Sequence, residues 1–201
     1  MAFVLILEIV MASSLDSQPR LTIPNIITLA RILLTPLFII LLIQKRYHQA
    51  LWIFVLAGIS DMADGLIARR WQQKSPLGAF LDPLADKLLM CSSFVTLSIY
   101  HLIPPWLTVI VISRDVVLVL GVMLFKMVNF PVIVRPSLAG KLSTATQVAT
   151  VLLVLLAKYW TISPVSLKAW FWLTGALTTI SGIHYILHAL RGATQSQNLP
   201  G

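Results

Sequence analysis

Apolar residues run through this chain in blocks of about twenty, each closed by a short polar break. An α-helix needs about 20 such residues to cross a hydrocarbon core. Runs at roughly residues 24–43, 49–68, 83–102, 105–127, 142–160 and 165–190 therefore predict six transmembrane helices. The expected fold is all-α, an integral membrane bundle of six helices joined by short connections. These elements use nearly all of the chain without an internal repeat or low-complexity tract, so a separate soluble domain is not expected. The stretch 3–12 is apolar but too short to span, and it lacks the basic start of a secretory signal and the arginines of a transit peptide. Residues 1–20 are accordingly read as a leader or interfacial segment, 21–190 as the membrane domain and 191–201 as a flexible C-terminal tail.

Composition agrees with that solvent: 58% of residues are hydrophobic, 11% are charged and the mean hydropathy is +0.88. Charge then adds an orientation, because basic short loops stay cytoplasmic. With both termini inside, Arg20, Arg69, Arg70, Lys74, Lys126, Arg135, Lys141 and Arg191 are cytoplasmic, against Lys45, Arg46, Lys158 and Lys168 outside, eight to four. The net charge of +8 is mostly this collar, which suits anionic lipid head groups. Its basic residues lie on separate loops, not on one face, which argues against nucleic-acid binding. Trp52, Trp71, Trp106 and Trp160 near predicted helix ends read as interface anchors. The single cysteine, Cys91, permits neither an internal disulfide nor a thiolate zinc site.

The acids change the picture most. Of seven in the chain, four are Asp61, Asp64, Asp82 and Asp86, and from residue 17 onward the one acid outside this stretch is Asp115. Asp61, Asp64 and Ala68 share a helix face at 3.6 residues per turn, as do Asp82 and Asp86. The polar turn between them lets the two acidic faces oppose each other near the cytoplasmic surface, where four carboxylates require protons or cations as company. Oxygen ligands without histidine or cysteine suit Mg²⁺, Mn²⁺ or Ca²⁺ better than zinc or copper. Two metals with one carboxylate left as a base is the arrangement expected for phosphoryl transfer. Gly65, Ala68 and Gly78 leave room for a large group to approach the backbone, and Arg69 offers a planar fork for phosphate oxygens. Small residues also serve plain helix packing; it is their place beside four aspartates and an arginine that favours a site.

The pattern Asp61, two residues, Asp64, Gly65, two residues, Ala68, Arg69, eight residues, Gly78, three residues, Asp82, three residues, Asp86 resembles the CDP-alcohol phosphotransferase signature without a departure. The resemblance covers roughly residues 21–190. It implies transfer of a phosphatidyl group from CDP-diacylglycerol to an alcohol with release of CMP, two divalent cations (Mg²⁺ or Mn²⁺), a homodimer, and a bacterial-type cytoplasmic membrane with the site facing the cytoplasm. By position, Asp61, Asp64 and Asp82 would bind the metals. Asp86 would be the general base and could also contact a metal. Gly65, Ala68, Arg69 and Gly78, together with Asp61 and Asn25, would line the CDP site.

The acceptor is decided elsewhere. Arg31, Arg114 and Lys141 lie in or beside apolar helices and need an acid, backbone or a bound anion as partner. They are read as a pocket for the acceptor's phosphate, with structural pairing or snorkelling as the alternative. Adjacent helical residues point about 100° apart, so Asp115 is expected to pair with a helix other than the one carrying Arg114. The segments 23–32, 81–90, 111–119 and 140–147 resemble the glycerol-using branch of the family. Asp115 after Arg114, with the run 135–147, looks more like its cardiolipin synthases, whose acceptor is phosphatidylglycerol, than like its phosphatidylglycerophosphate synthases, which take glycerol 3-phosphate. His184 and His188 are four apart without an acidic partner and read as interfacial rather than metal-binding. A membrane prenyltransferase and a divalent-cation transporter also place carboxylates in membranes. The first is larger, with acid motifs on widely separated helices; the second leaves Gly65, Arg69 and Gly78 without a purpose.

Overall fold

The computed structural model describes residues 23–71, 76–127, 138–160 and 163–196, with side chains at 27–60, 84–121, 138–160 and 163–187. Among the described residues there are six helices and no strand: α1 (Ile23–Ile43), α2 (Tyr47–Trp71), α3 (Pro76–Ile99), α4 (Pro105–Met127), α5 (Leu138–Leu156) and α6 (Pro164–Ser196). Each matches one of the expected apolar runs. α3 starts earlier than expected, because Pro76 opens the first turn, where its missing N–H costs nothing. Gly78 and Asp82 are therefore helical. α5 is displaced toward the N-terminus, and its end tightens into a turn in which the Lys158 N–H bonds the Leu155 carbonyl at 3.2 Å. α6 remains helical beyond 190, up to Ser196. Among the described residues, α5 is the one helix long and apolar enough to cross a membrane on its own, while Ile27–Ile43 and Tyr47–Ser60 form shorter apolar stretches. The chain divides into two compact units, with the division falling inside α3 between Ser92 and Ser93.

In the first unit, α1 packs on α2. Thr28, Arg31, Thr35, Phe38 and Leu42 recur at helical spacing and are buried, as are Ala50, Phe54 and Ala57 on α2. The rings of Phe38 and Phe54 meet at 5.6 Å, and such a pair contributes about 0.5–1.5 kcal/mol beyond its buried area. The opposite face of α1 exposes Leu29, Leu33, Leu37 and Ile40. Polar groups inside and apolar ones outside invert the pattern of a water-soluble helix. Between the helices, Arg46 N–H reaches the Leu41 carbonyl and Lys45 N–H the Leu42 carbonyl, both at 2.9 Å, closing a Schellman turn. Lys45 takes its left-handed position, φ 59°, where glycine is usual.

In the second unit, α3 ends in the same turn at His101, φ 56°, and the Thr108 hydroxyl on α4 donates to the Phe94 carbonyl at 3.3 Å. α4 and α6 run parallel, since Trp106 and Leu107 approach Gly175, Arg114 approaches Gly182 and Tyr185 approaches Gly121. α5 and α6 run antiparallel along a buried polar ladder. Ser143 donates to Thr178 at 3.2 Å, Gln147 Nε2 donates to both Ser143 and Thr178 at 3.2 Å, and Thr150 meets Thr174 at 3.0 Å. Trp170 Nε1 closes it by donating to Thr150 at 3.0 Å. Each hydroxyl buried here has a partner across the seam, as burial of polar groups requires.

The glycines of α6 set how closely α4 can lie. A Cβ at Gly175 would stand 2.7 Å from Cζ3 of Trp106, whose ring stacks on Trp172 at 4.7 Å. Gly175→Ala should therefore cost about 1–3 kcal/mol, the usual penalty of overpacking. Gly58→Ala, where a Cβ would meet nothing within 4 Å, should be neutral or gain up to about 1 kcal/mol of helix propensity. Thermal unfolding of both variants in detergent checks the contrast; equal midpoints would rule out the close α4–α6 contact.

Candidate functional site

The eight spaced residues fall on two helices of the first unit. Asp61, Asp64, Gly65, Ala68 and Arg69 occupy the C-terminal part of α2, and Gly78, Asp82 and Asp86 the first half of α3. The backbone is helical at every one of these positions, so spacings of three and four keep each aspartate pair on one helix face. The side chains of Asp61, Asp64, Gly65, Ala68, Arg69, Gly78, Asp82 and Asn25 lie outside the described residues. Asp86 is described. It is partly buried, and Leu89, Met90 and Ser93, three, four and seven positions on, are buried. Its carboxylate thus continues the inward stripe of α3. The four aspartates offer oxygen donors alone, which fits a hard divalent cation. Among the described residues, no group of three histidine, cysteine, aspartate or glutamate side chains offers a competing site.

The three cations expected to serve an acceptor are described. Arg31 is only 2% exposed, on the buried face of α1, and its backbone carbonyl accepts a 3.0 Å bond from the Thr35 hydroxyl. Lys141 is exposed in the first turn of α5, next to Gly140, whose carbonyl accepts from Thr144 at 3.2 Å. Arg114 is nearly buried in α4. One terminal nitrogen donates to Asp115 Oδ1 at 2.8 Å and the other to Ser181 Oγ of α6 at 3.0 Å. Its Nε is buried with no hydrogen-bond partner among the described residues.

The Arg114–Asp115 pair corrects the expectation that Asp115 does not face Arg114. The Cβ directions do diverge by about 100°, but they constrain only where each side chain starts. Arginine's long, flexible stem lets the guanidinium curl back over its own helix to the neighbouring carboxylate. With side chains 8% and 6% exposed, the two charges are withdrawn from water, where an unpaired charge is far costlier than an awkward rotamer.

Ser181 did not stand out in the sequence, nor did Thr174 and Thr178. The available signal was the spacing 174, 178, 181 on α6 against 143, 147, 150 on α5, two small polar stripes of matching period. His184 is exposed, and the side chain of His188 lies outside the described residues.

Comparison with known proteins bears on what these helices belong to. A cardiolipin synthase (CMP-forming) from Homo sapiens is 34% identical over 190 residues, covering 87% of this chain and 63% of its own length. A probable cardiolipin synthase (CMP-forming) from Drosophila melanogaster is also 34% identical over 190 residues, with 86% of this chain and 59% of its own length covered. This chain thus spans about three fifths of those two relatives. A probable phosphatidylglycerophosphate synthase from Mycobacterium tuberculosis is 35% identical over 176 residues, 83% of this chain and 81% of its own. The family pattern of CDP-alcohol phosphatidyltransferases matches residues 21–184, a span that holds both aspartate helices and the Arg114–Asp115 pair. The chain belongs to the CDP-alcohol phosphatidyltransferase family.

Proposed function

We propose that this protein moves the phosphatidyl group of CDP-diacylglycerol to the hydroxyl of a glycerol-type acceptor, with phosphatidylglycerol as preferred acceptor and cardiolipin as product. The observation that carries this reading is the family match across all eight signature positions. The acceptor's hydroxyl oxygen bonds to the phosphatidyl phosphorus as that phosphorus parts from CMP, and Asp86 takes the hydroxyl proton. Asp61, Asp64 and Asp82, with Asp86 at their edge, would hold two divalent cations, Mg²⁺ or Mn²⁺, which neutralise diphosphate charge and favour departure of CMP. Asn25, Asp61, Gly65, Ala68, Arg69 and Gly78 receive the CDP moiety; Arg31, Arg114 and Lys141 bind the acceptor's phosphate. We place the six helices across a bacterial-type cytoplasmic membrane as a homodimer, with both termini and the site on the cytoplasmic side. The apolar side chains exposed along α1, α2, α4 and α6 support that placement.

A second acceptor, glycerol 3-phosphate, is favoured by the Mycobacterium tuberculosis relative, more of whose length is covered. Purified protein given CDP-diacylglycerol and Mg²⁺ or Mn²⁺ should release CMP with phosphatidylglycerol, and a chelator should abolish that release. Release confined to glycerol 3-phosphate would exchange the acceptor. No CMP with either, or with inositol phosphate or serine, would overturn the transferase reading and leave divalent-cation transport as the rival.

A further inference from the structure

We propose that Ser181 is a positioning residue for Arg114, holding the guanidinium so that its Nε–H is presented to the phosphate oxygens of the acceptor. The inference rests on the reading that Arg114 serves the acceptor.

The guanidinium has five donors in a rigid plane. Here one terminal nitrogen is held by Asp115 on the same helix and the other by Ser181 on α6. Two anchors from two helices fix both the position and the tilt of the plane, which a single ion pair to a flexible stem would not. The stem packs over Gly182, where an added Cβ would stand 3.5 Å from Arg114 Cγ, an ordinary contact. Of the three guanidinium nitrogens, Nε is the one that has no partner among the described residues, and it is buried. An orphaned buried donor is costly, so natural structures rarely keep one without a use. A phosphate oxygen is the acceptor that a guanidinium edge suits best.

Ser181 is in turn not free to drift. It lies three residues beyond Thr178 and seven beyond Thr174, on the α6 face that the ladder zips to α5. The ladder fixes the rotation of α6, α6 aims the Ser181 hydroxyl, and the hydroxyl aims Arg114. One turn beyond Ser181, the Tyr185 hydroxyl is likewise buried with no hydrogen-bond partner among the described residues, against Gly121 of α4. The α4–α6 seam thus holds two buried polar atoms that lack partners among the described residues, as a seam would that admits a polar ligand.

The test is steady-state kinetics of Ser181→Ala with phosphatidylglycerol and with glycerol 3-phosphate in separate arms, alongside thermal unfolding. The expected result is an acceptor KM raised about tenfold, the scale of one hydrogen bond to a charged group, in whichever arm turns over. The KM for CDP-diacylglycerol and the unfolding midpoint should stay unchanged, and Ser181→Thr, which keeps the hydroxyl, should restore the acceptor KM. Inorganic phosphate, as a competitive inhibitor against the acceptor, should weaken in the same proportion. Arg114→Gln separates the two levels. If Arg114→Gln raises the acceptor KM and folded Ser181→Ala does not, the positioning role is overturned while the acceptor reading stands. If Arg114→Gln leaves it unchanged, both fall. A Ser181→Ala protein that loses thermal stability while both KM values hold assigns Ser181 to packing and also overturns the proposal.

Discussion

Asp86→Asn is expected to lower CMP release about 10²–10⁴-fold, the range for loss of a general base, while CDP-diacylglycerol still binds. The amide keeps the shape of the carboxylate and removes only the capacity to accept a proton. Asp86 is partly buried, on the α3 stripe where Leu89, Met90 and Ser93 are buried. Partial burial limits the access of bulk water that could otherwise take the proton in its place. Equilibrium binding of CDP-diacylglycerol, set beside single-turnover CMP release, separates the two effects. Binding lost together with turnover would assign Asp86 to the cations instead, and unimpaired turnover would remove it from the chemistry.

Asp115→Ala carries the largest expected effect on stability, a loss of about 3–5 kcal/mol, because it strands a buried guanidinium. Ser181 would remain as a partner for Arg114, but a hydroxyl dipole cannot balance a full charge at 8% exposure. The double variant Arg114→Met with Asp115→Leu removes both charges and fills the space with apolar groups, so it should recover most of that loss. It should nevertheless show no acceptor-dependent CMP release. Unfolding in detergent followed by circular dichroism gives the first quantity and the CMP assay the second. A single variant as stable as the parent protein would mean that the pair is solvated in the working protein.

Much of this was legible in the residues themselves. The bounds of α4, Pro105–Met127, were readable directly, because prolines precede a run that is apolar on both sides of Ser113, Arg114 and Asp115. The start of α3 was not, since hydropathy marks where a helix enters lipid, and Asp82 and its neighbours are too polar to count toward an apolar run although they are helical. The aspartates announced themselves because carboxylates are rare in so apolar a chain and their spacing has a period. The surroundings of Arg114 did not. Its pairing with Asp115 depends on a side-chain path that backbone direction does not determine, and its bond to Ser181 joins residues 67 positions apart. Serine and threonine occur in helices for many reasons, and only their alignment across α5 and α6 gives them meaning.

That alignment also bears on how such a chain would be made. On the membrane reading, α5 is synthesised and released toward the bilayer before α6 exists, yet it carries Ser143, Gln147 and Thr150 on one face, whose partners across the seam belong to α6. Hydrocarbon offers those groups nothing to bond with. An α5 that left the insertion machinery alone would keep the Gln147–Ser143 and Thr150–Thr146 bonds within itself but lack every bond these groups make to α6 until α6 arrived. The two helices are therefore better suited to enter as a hairpin, zipped before release, than one after the other. A ribosome paused between them would expose the chain to quality control, so the short connection from Leu156 to Pro164 would serve the timing of biogenesis as well as the fold.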